Sequence, residues 1–128
     1  MIRLNLTVKG EPDLPPFTTS IQCSSKEDEQ IFANQVAIIQ DKLARNLRIN
    51  INESITAYCA FILSEIRNGR QIEQIQKDAL LLLRPDQVMI GVPETMRKIS
   101  FEVALDGITR KIDLESPIRI SDYIIRSG

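Results

Sequence analysis

Reading the chain for side chains that could do chemistry starts from an absence: none of its 128 residues is a histidine. Without an imidazole there is no Ser-His or Cys-His nucleophile pair, and the commonest ligand for zinc, nickel or copper is missing. What remains is carboxylates, lysines, hydroxyls and two thiols. The densest acidic group is Glu27-Asp28-Glu29, which directly follows two serines and so reads as negative charge at the positive end of a helix rather than as an acid–base pair. Tyr58 and Cys59 fall on the apolar stripe of a helix and read as core, while Cys23 lies in a polar stretch. The five glycines are scattered, so no phosphate-binding loop is formed, and there is no Cys-x-x-Cys. The expectation is a chain with no active site and no bound cofactor or metal of its own.

Composition narrows the class further. Sixteen basic against 17 acidic residues leave a net charge of −1, too neutral for a protein that grips nucleic acid through phosphates. The longest apolar run, Ala79 to Leu83, is far below the roughly 20 residues of a membrane span, and the N-terminus has no uninterrupted apolar segment of the secretory type. A cytoplasmic chain is expected, with one domain over residues 1–128 and a core supported by 43% hydrophobic residues.

The elements that must position these side chains are legible in order. Residues 1–9 alternate, with Ile2, Leu4, Leu6 and Val8 on one side, as in a half-buried strand. A Pro- and Ser-rich stretch follows to residue 25 and reads as a linker or surface loop anchored by Leu14, Phe17 and Ile21. Ser24 with Glu27, or Ser25 with Asp28, then opens a helix whose face is Phe32, Val36, Ile39, Leu43 and Leu47. Asn50 and Glu53 cap a second helix, with Ile55, Tyr58, Cys59, Ile62 and Ile66 inward, and Asn68-Gly69 ends it. A third runs from about Gln71 to Leu83. Its Gln71, Gln74 and Gln76 could in principle meet bases in a helix-turn-helix, but one lysine and a neutral chain argue against it. Pro85 can start a further short helix, which Gly91 and Pro93 close.

The last element is a hairpin. Asp106-Gly107, between two alternating runs, demands a turn with positive φ at both residues. Pairing outward sets Leu105 against Ile108, Val103 against Arg110, Phe101 against Ile112 and Ile99 against Leu114, with Arg110 at the rim. The fold class expected is therefore α+β: three main helices and a short one packed with a C-terminal hairpin, extended by the N-terminal strand.

Four stretches also resemble the gamma subunit of bacterial urease. Gln87-Val88-Met89-Ile90-Gly91-Val92-Pro93-Glu94 is similar to the family's Gln/Asp-Val-Met-Glu-Gly-Val-Pro-Glu. Leu43-Ala44-Arg45 through Asn50 and Glu53-Ser54 resembles its Leu-Ala-Arg-Gly-Leu-Lys-Leu-Asn-Tyr-Pro-Glu-Ala/Ser. Ala60-Phe61-Ile62 with Arg67-Asn68-Gly69 resembles Ala-Phe-Ile-x-Glu-Gly-Ala-Arg-Asp-Gly, and Ile99 through Pro117-Ile118-Arg119 resembles the closing hairpin and Asn-Pro-Ile-Arg end. The resemblance covers about residues 27–119, leaving 1–25 before it and 120–128 as a tail.

That resemblance implies a non-catalytic structural subunit. Urease hydrolyses urea to ammonia and carbamate at a paired nickel centre held in the alpha subunit, and gamma chains pack with alpha and beta chains into trimer-based assemblies. It implies partner contacts through Val88, Met89, Gly91, Val92, Pro93 and Glu94, while Asn50, Gly69, Asp106 and Gly107 are structural turns on the cap and turn signals above. Departures stand at Ile51-Asn52 for Tyr-Pro, Ser64-Glu65-Ile66 for Glu-Gly-Ala and Ile90 for Glu, the last suggesting a more apolar contact. The alternative is a stand-alone interaction module of the same fold that self-associates through edge pairing of strand 1–9.

Overall fold

The computed structural model describes residues 2–10, 17–23 and 25–118. The order is β1 (Ile2–Lys9), β2 (Phe17–Cys23), α1 (Lys26–Ala44), α2 (Ile51–Arg67), α3 (Ile72–Ala79), a 3-10 turn (Pro85–Gln87), α4 (Val92–Thr95), β3 (Lys98–Leu105) and β4 (Ile108–Glu115). The α+β class is the one expected, with three main helices and a short one beside a sheet.

The sheet is larger than the sequence reading. It has four antiparallel strands in the order β2-β1-β3-β4. β2 forms where a linker was expected, because Thr-Thr-Ser carries no apolar alternation to betray a strand. The anchors proposed for that stretch, Leu14 and the side chains of Phe17 and Ile21, lie outside the described residues, as do Ser24 and the tail.

β1 is not at an edge. It pairs with β2 from Ile2↔Cys23 to Val8↔Phe17 and with β3 from Ile2↔Leu105 to Lys9↔Lys98. Self-association by edge pairing of strand 1–9 is therefore corrected: both of its edges are occupied within the chain.

Strand alternation selects one face for the core. Leu4 lies opposite Val103, Leu6 opposite Phe101, and Val8 opposite Ile99. Phe101 and Ile99 in turn face Ile112 and Leu114. All eight side chains are buried, at 2% exposure or less. The opposite face carries Arg3, Asn5, Lys9, Glu102, Lys111 and Asp113 and is exposed, as expected of an antiparallel sheet with one wet side. The hairpin has the pairing predicted from its turn, with Asp106 at φ 53° and Gly107 at 80°. Arg110 is exposed, and so is Ile108.

The helices cover the apolar face, and α2 is the central one. Tyr58, Cys59 and Ile62 are fully buried, as is Ser54, whose hydroxyl donates to the Asn50 carbonyl at 2.8 Å. α2 opens with a complete capping box: the Glu53 N–H donates to Asn50 Oδ1 at 2.8 Å, and the Asn50 N–H to Glu53 Oε1 at 3.0 Å. α1 starts on Ser25, whose hydroxyl accepts from the Asp28 N–H. α1 and α2 both end in Schellman geometry. In α1 the Leu47 N–H reaches the Lys42 carbonyl and the Asn46 N–H reaches Leu43, with Asn46 at φ 59°. In α2 Arg70 reaches Glu65 and Gly69 reaches Ile66, with Gly69 at φ 72°.

Three boundaries differ from the sequence reading. Leu47 lies beyond the end of α1 and is exposed. α3 stops at Ala79, short of Leu83. Gly91 and Pro93 do not close a helix but open one: Gly91, at φ 94°, is the N-cap of α4, and Pro93 sits in its first turn.

Gly10, just past β1, is set by close approach rather than by φ. A Cβ there would lie 2.8 Å from the Thr95 carbonyl oxygen and 2.9 Å from its Cα, both rigid backbone. Gly10→Ala is expected to cost about 1–3 kcal/mol in urea unfolding; a midpoint equal to wild type would show that β1 and α4 do not meet this closely.

The α1–α2 junction adds a titratable element. Burial pushes the Glu53 carboxyl up, but the Asn50 N–H and the Lys42 ammonium, 2.5 Å away, outweigh it and leave the pKa below its ordinary value. A depressed carboxylate stabilises the fold above its unfolded pKa and loses that contribution as pH falls through the folded one. Glu53→Gln should therefore be less stable than wild type at pH 7, and the gap should close in acid below pH ~4. A gap that stays constant down to pH 3 would remove the ionised Glu53 from the account.

Candidate interaction surface

Segment 84–94 is built by short-range chemistry and then pinned to the helices. The Gln87 side chain accepts from the Arg84 N–H at 2.7 Å, and Arg84 Nε lies 3.0 Å from Asp86. Beyond the 3-10 turn, Val88 forms a parallel bridge with Ile49, in the link between α1 and α2. The Ile49 N–H donates to the Gln87 carbonyl at 3.0 Å, and the Met89 N–H to the Ile49 carbonyl at 2.9 Å. Ile49 is fully buried and Val88 nearly so, which ties the segment to the core.

This geometry divides the six residues proposed for partner contact. Val88, Val92 and Pro93 are buried in the chain's own core, beside the fully buried Met96. Met89 and Gly91 are exposed, and Glu94 is half-buried with one carboxylate oxygen, Oε2, sealed off without a hydrogen-bond partner. Between them Ile90, absent from the six, stands 95% in solvent. The sequence signal for it was the replacement of a charge by isoleucine.

Other large apolar side chains are exposed elsewhere. Ile31 and Ile38 project from α1, which buries only Ile39 completely. Leu47 follows α1, and Leu81 lies past α3. Between α1 and α2 runs a cleft of about 410 Å³ lined by Val36, Leu43, Ala57, Phe61 and Leu82, and a second of about 230 Å³ lies beside Phe32, Leu63 and Arg67. Arg67 bridges to Glu29 across the two helices at 3.1 Å. Isolated exposed apolar residues are ordinary, but an under-packed helix bordered by an apolar cleft is how interaction surfaces present themselves.

Several groups with chemical potential among the described residues are engaged or inert. Burial raises the Tyr58 phenol, whose hydroxyl donates to the Pro117 carbonyl at 3.4 Å. Burial also pushes the free Cys59 thiol up to about 12, so it stays protonated and unreactive. Arg70, bound by Asp78 at 2.8 Å and by Glu65, has its pKa raised by these two carboxylates. Gln74 pairs with Asp78, and Gln76 donates to the Asp113 carbonyl on β4. Among the described residues no three or more His, Cys, Asp or Glu converge to hold a metal ion, and no helix is long and apolar enough to cross a membrane.

The chain is similar in sequence to known proteins over most of its length. A chain described as "Urease subunit gamma" from Synechococcus sp. (strain CC9605) is 27% identical over 94 residues, 73% of this chain and 94% of its own length. Chains of the same description from Parasynechococcus marenigrum (strain WH8102) and Prochlorococcus marinus (strain MIT 9303) match to the same extent. The family described as "Urease, gamma subunit" matches residues 21–118, which takes in α1 to β4 and the whole of the 84–94 segment, and the chain belongs to that family.

Proposed function

We propose that this chain is a non-catalytic structural subunit of a nickel-dependent urea amidohydrolase, the complex that converts urea to ammonia and carbamate, in the cytoplasm. Family membership carries the reading. The chain's own residues do not fit a nickel centre: there is no histidine, and no ligand-type cluster forms among the described residues. That the alpha partner holds the metal is what the resemblance to urease gamma chains implies.

What this chain supplies is surface. Met89 and Ile90 stand out from a loop whose backbone is held by Val88, Val92 and Pro93, so the exposed pair is presented on a rigid base. Burying an isoleucine that is fully exposed in the free chain contributes roughly 1.5–3 kcal/mol, enough to make it an anchor residue. α1, with Ile31 and Ile38 outward, offers a second contact to the larger alpha and beta chains in a trimer-based assembly.

Co-expression with cognate alpha and beta urease chains is expected to yield one co-eluting complex, and the isolated chain supplied with nickel should hydrolyse no urea. A chain that remains a separate monomer beside an intact, active urease would sink the proposal, as would turnover by the chain alone. Ile90→Asp should leave the thermal transition of the free chain unchanged while weakening its association about tenfold or more. Unchanged assembly in that variant would remove the loop from the interface.

A further inference from the structure

The family match begins at residue 21, so all of β1 and residues 17–20 of β2 precede it. The Synechococcus relative, of which 94 residues are 94%, is about 100 residues long, close to the span 21–118 and too short for the added strands as well. Within the matched span the sheet is essentially the β3–β4 hairpin, and β3 then has one unpaired edge. That edge carries a row of backbone N–H and C=O groups, and in this chain β1 lies along it opposite Ile99, Phe101 and Val103, which are buried.

We propose that the free edge of β3 is a strand-acceptor site of this fold and that β1 is its built-in occupant. The chemistry it accepts is one extended segment with apolar residues at alternate positions. Leu4, Leu6 and Val8 meet this requirement, pairing with Val103, Phe101 and Ile99 and burying to 2% or less, while Arg3, Asn5 and Lys9 point to water. Register is fixed at the far end by Gly10, which alone permits the strand to run close past the Thr95 backbone. Occupation from within fills this edge of β3 and leaves β2 and β4 as the outer strands of the sheet. The inference rests on the family boundaries and the pairing, and does not depend on nickel or urea.

Donor and acceptor that are separable should exchange. A full-length variant with a specific protease site between Gly10 and Phe17 is cut in native buffer and challenged with a fluorescent synthetic peptide of residues 1–10. The expected result is that the cut protein keeps its far-ultraviolet spectrum, retains its own strand on gel filtration and incorporates the labelled peptide after a denaturation–refolding cycle. A peptide with serine at positions 4, 6 and 8 should bind at least ~100-fold more weakly. Uncut protein, its edge filled, should take up neither. Unfolding on cutting, refusal of the labelled peptide, equal binding of the serine peptide or uptake by uncut protein would each overturn the proposal.

Discussion

The structure depends on one constraint: β1 must lie between β2 and β3 with its even-numbered residues toward the helices. A shift of a single residue would turn Leu4, Leu6 and Val8 to water and bring Arg3, Asn5 and Thr7 against Phe101 and the fully buried Tyr58 and Ile62 of the shared core. Two-sided pairing makes that shift costly, because β2 and β3 each hold β1 in register over seven or more residues. Gly10 adds a stop at one end, where only hydrogen fits against Thr95. The wet face is then almost wholly polar, with Ala104 opposite Arg3 as a small apolar exception.

Against that sheet the helices are held in different ways. α2 is locked by burial along most of its length, from Ile55 to Ile66. α1 has one fully buried side chain in 19 residues and relies on its ends: the Ser25 cap, the Schellman turn at Asn46, and the ion pairs Lys42–Glu53 and Arg67–Glu29 to α2. Of these, Arg67–Glu29 is exposed and contributes little, while Lys42–Glu53 is partly buried. With Ile39 buried and Phe32 and Leu43 packed against the core, α1 still leaves Ile31 and Ile38 exposed.

Features that rest on neighbouring residues were legible in the sequence. The Asn50–Glu53 capping box, the Ser25 cap, the Asp106-Gly107 turn and all four hairpin pairs follow from local stereochemistry, and each is present. β2 was not legible, because Thr18, Thr19 and Ser20 hold their place through hydrogen bonds to β1 rather than through an apolar pattern of their own. The Ile49–Val88 bridge joins residues far apart in sequence, and no local signal announces it. α3 read too long because Leu80 to Leu83 continue the apolar character after the helix has ended at Ala79, with only Leu83 of the four fully buried.

The 84–94 segment shows why a family motif and a contact surface are different things. The residues that carry the resemblance most clearly, Val88, Val92 and Pro93, are buried in this chain, so their types answer to its own core. Gly91 answers to backbone geometry, standing at φ 94° where a side chain would be strained. A match built on such residues reports the shape of the loop. Ile90, 95% exposed, is the side chain of the segment least constrained by the chain's own packing, and it stands where the urease-gamma motif that the segment resembles has glutamate. At a solvated site an isoleucine has no folding reason to replace a charge, since burial is what stabilises it. Ile90 is accordingly the side chain of this loop on which the proposed partner contact turns.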